Sequence, residues 1–323
     1  MFLAVDVHPP AFVPQVPGLT GLRVLARGGY ATVYRATQTS VGRDVAVKVE
    51  NRTLENDHDR NRFMREARAA GRMSGHPHVI DLFDAGVTAD GHPFLIMELC
   101  DCSYAERMKK ELLTPKEVRE VGAKIADALA DAHALGVVHR DVKPANLLCT
   151  SFGEPALADF GLAVLVENRD ESMTLETLTP AYAPREMFRP RTPPSSAGDI
   201  YSLCATLYAL LAGRPPRWEN DRNPSLIALL DIFDQPIPSI DGVPEALVGT
   251  LRLGLANDQD ARPSAIRLRD MLLDLKLDGT DPVPASPRST ADDDTTDAWS
   301  QPTQAQPYGY DEPTTIMRLG DFS

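Results

Sequence analysis

The stretch His139-Arg140-Asp141-Val142-Lys143-Pro144-Ala145-Asn146-Leu147-Leu148, followed thirteen residues after Asn146 by Asp159-Phe160-Gly161, decides how the rest of this chain is read. It gathers a carboxylate, an ammonium, a carboxamide and a second carboxylate on loops joined by short strand-like runs. Asn146 and Asp159 offer hard oxygens of the kind Mg²⁺ takes, and Lys143 offers a point of positive charge. Asp141 can accept a proton and orient the hydroxyl that carried it. Together these are the groups that a metal-assisted phosphoryl-transfer site needs.

Working upstream, Val45-Ala46-Val47-Lys48 reads as a strand, in which residues two apart share a face. Lys48 therefore lies on the side of Ala46, while Val45, Val47 and Val49 face the other way. Beyond Lys48, Phe63, Ala67, Ala70 and Met73 form an apolar stripe at helical spacing, and Glu66, eighteen residues after Lys48, lies beside it rather than on the wet face. An acid in that position wants a cationic partner.

This ordered set resembles the protein kinase family, specifically bacterial serine/threonine kinases of the eukaryotic-like, Hanks type, over roughly residues 19–275. Taken singly, Asp159-Phe160-Gly161 or Gly28-Gly29 is an ordinary turn. Lys48, Glu66, Asp141, Asn146 and Asp159, each in order and in its expected strand, helix or loop, carry the resemblance. It implies an α+β, two-lobed kinase-like fold with a small β-rich N-lobe and a larger helical C-lobe. It also implies ATP with Mg²⁺ or Mn²⁺, and transfer of the γ-phosphoryl group to Ser/Thr hydroxyls of proteins, the chain itself included. By resemblance Asp141, Lys143, Asn146, Lys48 and Glu66 are catalytic, and Asn146 and Asp159 hold the metal. Lys48 is directed at the α and β phosphates and pairs with Glu66 in the active state. Lys143, two residues after Asp141, places the chain in the serine/threonine subgroup.

The phosphate-covering turn departs from the family pattern. G-x-G-x-x-G aligns on Ala26-Arg27-Gly28-Gly29-Tyr30-Ala31, so of the three glycines only Gly28 is kept, and the methyls of Ala26 and Ala31 restrict the backbone. Gly29 leaves the tip pliant, and weakened or slowed nucleotide handling is expected. The resemblance puts Val33 and Ala46 on adenine, Met97 at the gatekeeper position, the backbone of Glu98 and Cys100 at the adenine edge and Leu148 beneath it. Thr174 and Thr177 are candidates for activation-segment phosphorylation, gripped by Arg140, and Thr179 is expected to contact Asp141 and Lys143. Glu186, Arg262 and Asp199 are structural by the same resemblance: the first two are partners, and the third ties the catalytic loop to the C-lobe.

The organisation follows. Residues 1–18 are an N-terminal extension. Residues 19–277 form the kinase domain, with N-lobe 19–97, hinge 98–102 and C-lobe 103–277. Thr114-Pro115-Lys116-Glu117 is a capping box with proline at the first helical position, opening a helix to Gly136 on the stripe Val118, Val121, Ile125 and Leu129. Further helices are expected over 197–213, 225–234, 244–255 and 264–275. Residues 278–323 carry nine acids and two arginines and are rich in Pro, Thr, Ser and Gln, the composition of a disordered tail. Its acid-flanked pairs Thr295-Thr296 and Thr314-Thr315 resemble phosphothreonine sites read by forkhead-associated domains, with a solvated low-complexity tail as the other reading.

Charge and composition narrow the partners. A net charge of −13 argues against binding nucleic acid, which needs a basic stripe. No apolar run approaches the roughly 20 residues of a membrane span, and the N-terminal stretch lacks the charged start of a signal peptide. A cytoplasmic protein without membrane insertion is expected, with a transient homodimer for autophosphorylation as a partner state. Cys100, Cys102, Cys149 and Cys204 include no C-x-x-C pair, so reduced thiols are expected. His76-Pro77-His78 and His92 read as loop residues rather than metal ligands. Two other functional readings stay open: a catalytically dead kinase-like scaffold, and a kinase-like small-molecule phosphotransferase.

Overall fold

The computed structural model describes residues 14–160, 180–189, 192–218 and 231–277. The N-terminal part is a five-stranded antiparallel sheet of β1 (Leu19–Arg27), β2 (Ala31–Gln38), β3 (Arg43–Glu50), β4 (Leu82–Val87) and β5 (Pro93–Glu98), ordered β1-β2-β3-β5-β4. Strand alternation sorts its residues as the spacing predicts. Val45, Val47 and Val49 join Tyr34, Ala36, Phe94 and Ile96 in one core. Leu95, one residue out of phase, packs on the other face against Phe63 and Ala67 of α1 (Asp57–Gly71). Asn56 starts α1 by accepting the amide of Asp59 at 2.9 Å. The expected stripe ends early: Met73 is buried, but it lies in the turn beyond α1 and joins the C-terminal core instead.

The helical part begins with β6 (Cys102–Ser103) and α2 (Tyr104–Lys110), then α3 (Pro115–Ala134), which carries the expected capping box. Thr114 Oγ1 accepts the Glu117 amide at 3.2 Å, and the Glu117 carboxylate accepts the Thr114 amide at 2.8 Å. Val118, Val121, Ile125 and Leu129 are all buried. Two short strands follow, β7 (Leu147–Cys149) and β8 (Pro155–Leu157), which with β6 make a second sheet that carries the loops of the site. Then come α4 (Ser196–Ala212), α5 (Glu245–Gly254) and α6 (Ala265–Asp274). Of the helix expected over 225–234, residues 231–234 are helical and the rest lies outside the described residues.

Every residue of α4 from Asp199 to Leu211 is buried, so this helix is enclosed all round, with α3 and α5 packed on it. The approach of α3 is close enough that a Cβ at Gly122 would stand 2.7 Å from Leu207 Cδ1. A polar residue at the start of α4 fixes the loop that precedes β7. Asp199, 2% exposed, accepts the backbone amides of His139 at 2.8 Å and Arg140 at 2.7 Å, and His133 Nε2 lies 2.8 Å from the same carboxylate. Arg140 has a φ of 78°, a left-handed conformation that a side chain resists, and the bond to its amide helps hold it there.

Asp199→Asn keeps the shape but points an NH₂ at a donor it cannot serve. A loss of about 2–4 kcal/mol in unfolding free energy is expected, read as a lower urea midpoint with loss of activity. A wild-type midpoint would refute this role for the carboxylate.

Candidate active site

Lys48 reaches the cleft by strand alternation. It is the cross-strand partner of Val33 on β2 and Leu95 on β5, which puts it on the α1 side of the sheet. Its Nζ lies 2.9 Å from Asp159 Oδ2, with the two side chains only 18% and 24% exposed. Burial disfavours the ammonium, but the charges of Asp159, Glu50 and Asp141 outweigh it and raise the lysine pKa. Lys48 is therefore a fixed cation.

The opposite wall is the loop around Asp141. Lys143 Nζ is 2.9 Å from Asp141 Oδ2, while Asn146 Nδ2 donates to the same oxygen at 2.9 Å and to the Asp141 carbonyl at 2.8 Å. Burial pushes the Asp141 carboxyl up, but the charge and hydrogen bond of Lys143, with Asn146 adding to them, hold it below its ordinary value. The carboxylate is ionised and aimed, as a proton acceptor must be.

Asp159 sits in a left-handed conformation, φ 66°, between fastened neighbours. The Ala158 amide donates to Asn146 O at 2.9 Å and the Ala158 carbonyl lies 2.8 Å from His139 Nε2. Phe160, 3% exposed, meets the His139 ring edge-on at 4.7 Å. Asp159 Oδ1 is buried without a hydrogen-bond partner, and Asn146 uses its NH₂ on Asp141, which leaves its carbonyl oxygen as the ligand atom. An orphaned carboxylate oxygen and a carboxamide oxygen at one site fit a hard divalent cation such as Mg²⁺.

The expected Lys48–Glu66 pair is not formed. Glu66 pairs within its own helix, its Oε1 3.1 Å from Arg62 Nε, and its Oε2 is buried without a partner. The physical reason is local: residues 62 and 66 are one turn apart, so their pair needs no movement of α1, whereas Lys48 is already held by Asp159. Burial raises the Glu66 pKa, opposed by Arg62, Arg140 and Arg65.

Among the residues that the resemblance assigns to adenine, Met97, Cys100 and Leu148 pack with Ile80, Ala156 and Ala158, and Ala46 is the cross-strand partner of Met97. The Glu98 amide is already used, donating to Asp81 O at 2.9 Å. Burial pushes the Cys100 thiol up to about 12, so it stays protonated. Ala26 pairs across to Val33, and Gly28, Gly29 and Tyr30 link β1 to β2, which Ala31 opens. The sequence reading missed Asn51, whose side chain bonds this turn. The signal was there in principle: the hairpin register sets Ala31 opposite Glu50, so the next residue falls against the turn.

Glu186 and Arg262 meet in a two-pronged ion pair at 2.6 and 2.9 Å, with the arginine side chain fully buried and also bonded to Ala256 O and Ala197 O. His76, His78 and His92 sit in loops; His78 Nδ1 lies 3.0 Å from Pro155 O and His92 Nδ1 2.8 Å from Glu50 O. Thr174, Thr177, Thr179 and the tail pairs at Thr295-Thr296 and Thr314-Thr315 lie outside the described residues. No helix among the described residues is long and apolar enough to cross a membrane.

Comparison with known proteins agrees with this geometry. The family model described as Protein kinase domain matches residues 19–272. The chain is 36% identical over 273 residues to the serine/threonine-protein kinase PknK of Mycobacterium bovis, covering 80% of this chain and 24% of that protein. It is 34% identical over 227 residues to the probable serine/threonine-protein kinase PknB of Corynebacterium glutamicum, covering 68% and 34%. It is 36% identical over 248 residues to PknH of Mycobacterium bovis, covering 74% and 41%. The chain thus spans well under half the length of these curated relatives. Its fold matches the crystal structure of the Mycobacterium tuberculosis PknI kinase domain, with a TM-score of 0.57 and 27% identity over 81% of this chain and 98% of that one. With its sheet-and-helix architecture, its Lys48, Asp141, Asn146 and Asp159 cleft and these relatives, the chain belongs to the bacterial Hanks-type serine/threonine protein kinase family.

Proposed function

We propose that this chain transfers the γ-phosphoryl group of ATP to Ser or Thr hydroxyls of proteins, itself included, in cytoplasmic signalling. The observation that carries the reading is the Asp141 carboxylate, held ionised by Lys143 and Asn146 opposite a buried Lys48. Asp141 accepts the hydroxyl proton as the substrate oxygen bonds to the γ-phosphorus. The bond from that phosphorus to the β–γ bridging oxygen breaks, and ADP leaves. Lys143 places positive charge on the migrating group, and Lys48 holds the α and β phosphates. Asn146 and Asp159 would hold Mg²⁺ or Mn²⁺, which neutralises charge on the phosphates when bound. Adenine would lie between Val33 and Ala46 on one side and Leu148 on the other, along the backbone of Glu98 and Cys100.

The pairing seen in the structure is a resting arrangement. Phosphate-ready geometry, as the family implies it, requires Glu66 to leave Arg62 for Lys48. Phosphorylation of Thr174 or Thr177, gripped by Arg140, is the proposed trigger, through a transient homodimer. Phosphorylation of Thr295, Thr296, Thr314 or Thr315 would recruit forkhead-associated-domain proteins. The intact Lys48, Asp141, Asn146 and Asp159 set favours an active enzyme over a scaffold.

Three measurements test this. In a labelled-ATP assay with Mg²⁺, wild type should phosphorylate itself and a generic basic protein, and Asp141→Asn should reduce incorporation by at least about 10³-fold; equal incorporation would remove the assigned base. Lys143→Met removes the main influence holding the Asp141 pKa down. Burial then dominates, so the acid limb of the pH–rate profile should move to higher pH than in wild type. An unmoved limb would mean Asp141 is not the titrating base. Arg62→Gln frees Glu66 for Lys48 and should raise the initial autophosphorylation rate of unphosphorylated protein by about two- to tenfold, the scale of one charged hydrogen bond; a fall would show that Arg62 supports the active form.

A further inference from the structure

Four residues of the phosphate-covering turn, Gly28 to Ala31, are bonded to a side chain and backbone that do not belong to it, or to one another. Asn51 follows β3, and its Nδ2 donates to Gly28 O and to Gly29 O, both at 3.1 Å. Its backbone amide donates to Tyr30 O at 2.7 Å. Thr32 Oγ1 donates to Asn51 Oδ1 at 3.2 Å, which orients the carboxamide so that its NH₂ faces the two glycine carbonyls. Within the turn, the Gly28 amide donates to Ala31 O at 2.8 Å. One asparagine thus gathers the carbonyls of Gly28, Gly29 and Tyr30 on the side of β3.

We infer that Asn51 is a positioning residue for ATP, a strap that sets the height of the turn over the cleft. The reasoning is conformational. A turn with glycine at all three pattern positions can fit its backbone to a phosphate after the nucleotide arrives. Here Ala26 and Ala31 remove part of that freedom, so the conformation of the tip is decided before binding and something must choose it. Turning the Gly28, Gly29 and Tyr30 carbonyls toward Asn51 keeps those oxygens off a polyanion, which carbonyls would repel. Lys48 lies three residues before Asn51 on the same continuous segment, so the strap ties the turn to the strand that carries the phosphate-facing lysine.

This inference rests on the proposed ATP cleft, and the test separates the two. Asn51→Ala and Thr32→Val are compared with wild type in KM for ATP, kcat, KM for a basic protein substrate, and amide hydrogen exchange at residues 28–31. Asn51→Ala should raise KM for ATP about three- to tenfold, as expected for two exposed hydrogen bonds, with a smaller change in kcat and none in the protein-substrate KM. Exchange at 28–31 should speed up. Thr32→Val, which leaves the donors but frees the carboxamide to rotate, should do the same by about twofold, and it carries the test if Asn51→Ala does not fold. Wild-type KM for ATP and wild-type exchange in both variants would overturn the inference while leaving the cleft intact. Failure of the wild type to bind ATP in a thermal-shift titration would overturn the cleft and the strap together. A parallel rise in both KM values would show a general structural role and also overturn it.

Discussion

A single buried carboxylate holds the catalytic loop in place. Asp199 begins the most deeply buried helix of the fold, and both its oxygens are taken by backbone amides of His139 and Arg140, with His133 alongside. Without that acceptor the amides of His139 and Arg140 would lose this bond, and the left-handed backbone at Arg140 would lose a tie that helps hold it. Asp141 is the next residue, so its direction is inherited from the core and not chosen by the loop. Asn146 and Lys143 then finish the alignment at 2.8–2.9 Å. Phe160 packs on His139, which hands the same order on to Asp159.

The charges of the cleft are arranged so that each acid sees a different balance. Asp141, its side chain partly exposed to the cleft, is held ionised by its lysine. Glu66, whose side chain is largely shielded, is served by one guanidinium on one oxygen, so burial wins and its pKa rises. Asp159 neutralises Lys48 and still has an oxygen to offer. The structure thus holds two ion pairs, Lys48–Asp159 and Arg62–Glu66, where the family resemblance implies Lys48–Glu66. The buried Oε2 of Glu66, left unmet, costs about 1–3 kcal/mol.

Much of this was legible in the sequence because its cues are local. Alternation in Val45-Ala46-Val47-Lys48 told which way Lys48 faces, and the capping box at Thr114 told where α3 starts, since both depend on residues within one strand or one turn. Met73 was misplaced because an apolar residue at helical spacing looks the same whether the helix continues or ends two residues earlier. Asn51 was missed because a lone polar residue after a strand has no pattern of its own; its role appears only when the hairpin brings the turn against it.

What the sequence determined by itself is the order of elements and the kind of chemistry, because periodicity, caps and the ordered motif residues are properties of short segments. What only the tertiary structure decided is who pairs with whom. Lys48 was equally able to meet Glu66 or Asp159, and Glu66 equally able to meet Lys48 or Arg62. The choice depends on distances between α1, β3 and the loop after β8, which are set by packing across the cleft. Ion pairs between segments far apart in the chain follow from that packing, and no local pattern encodes it.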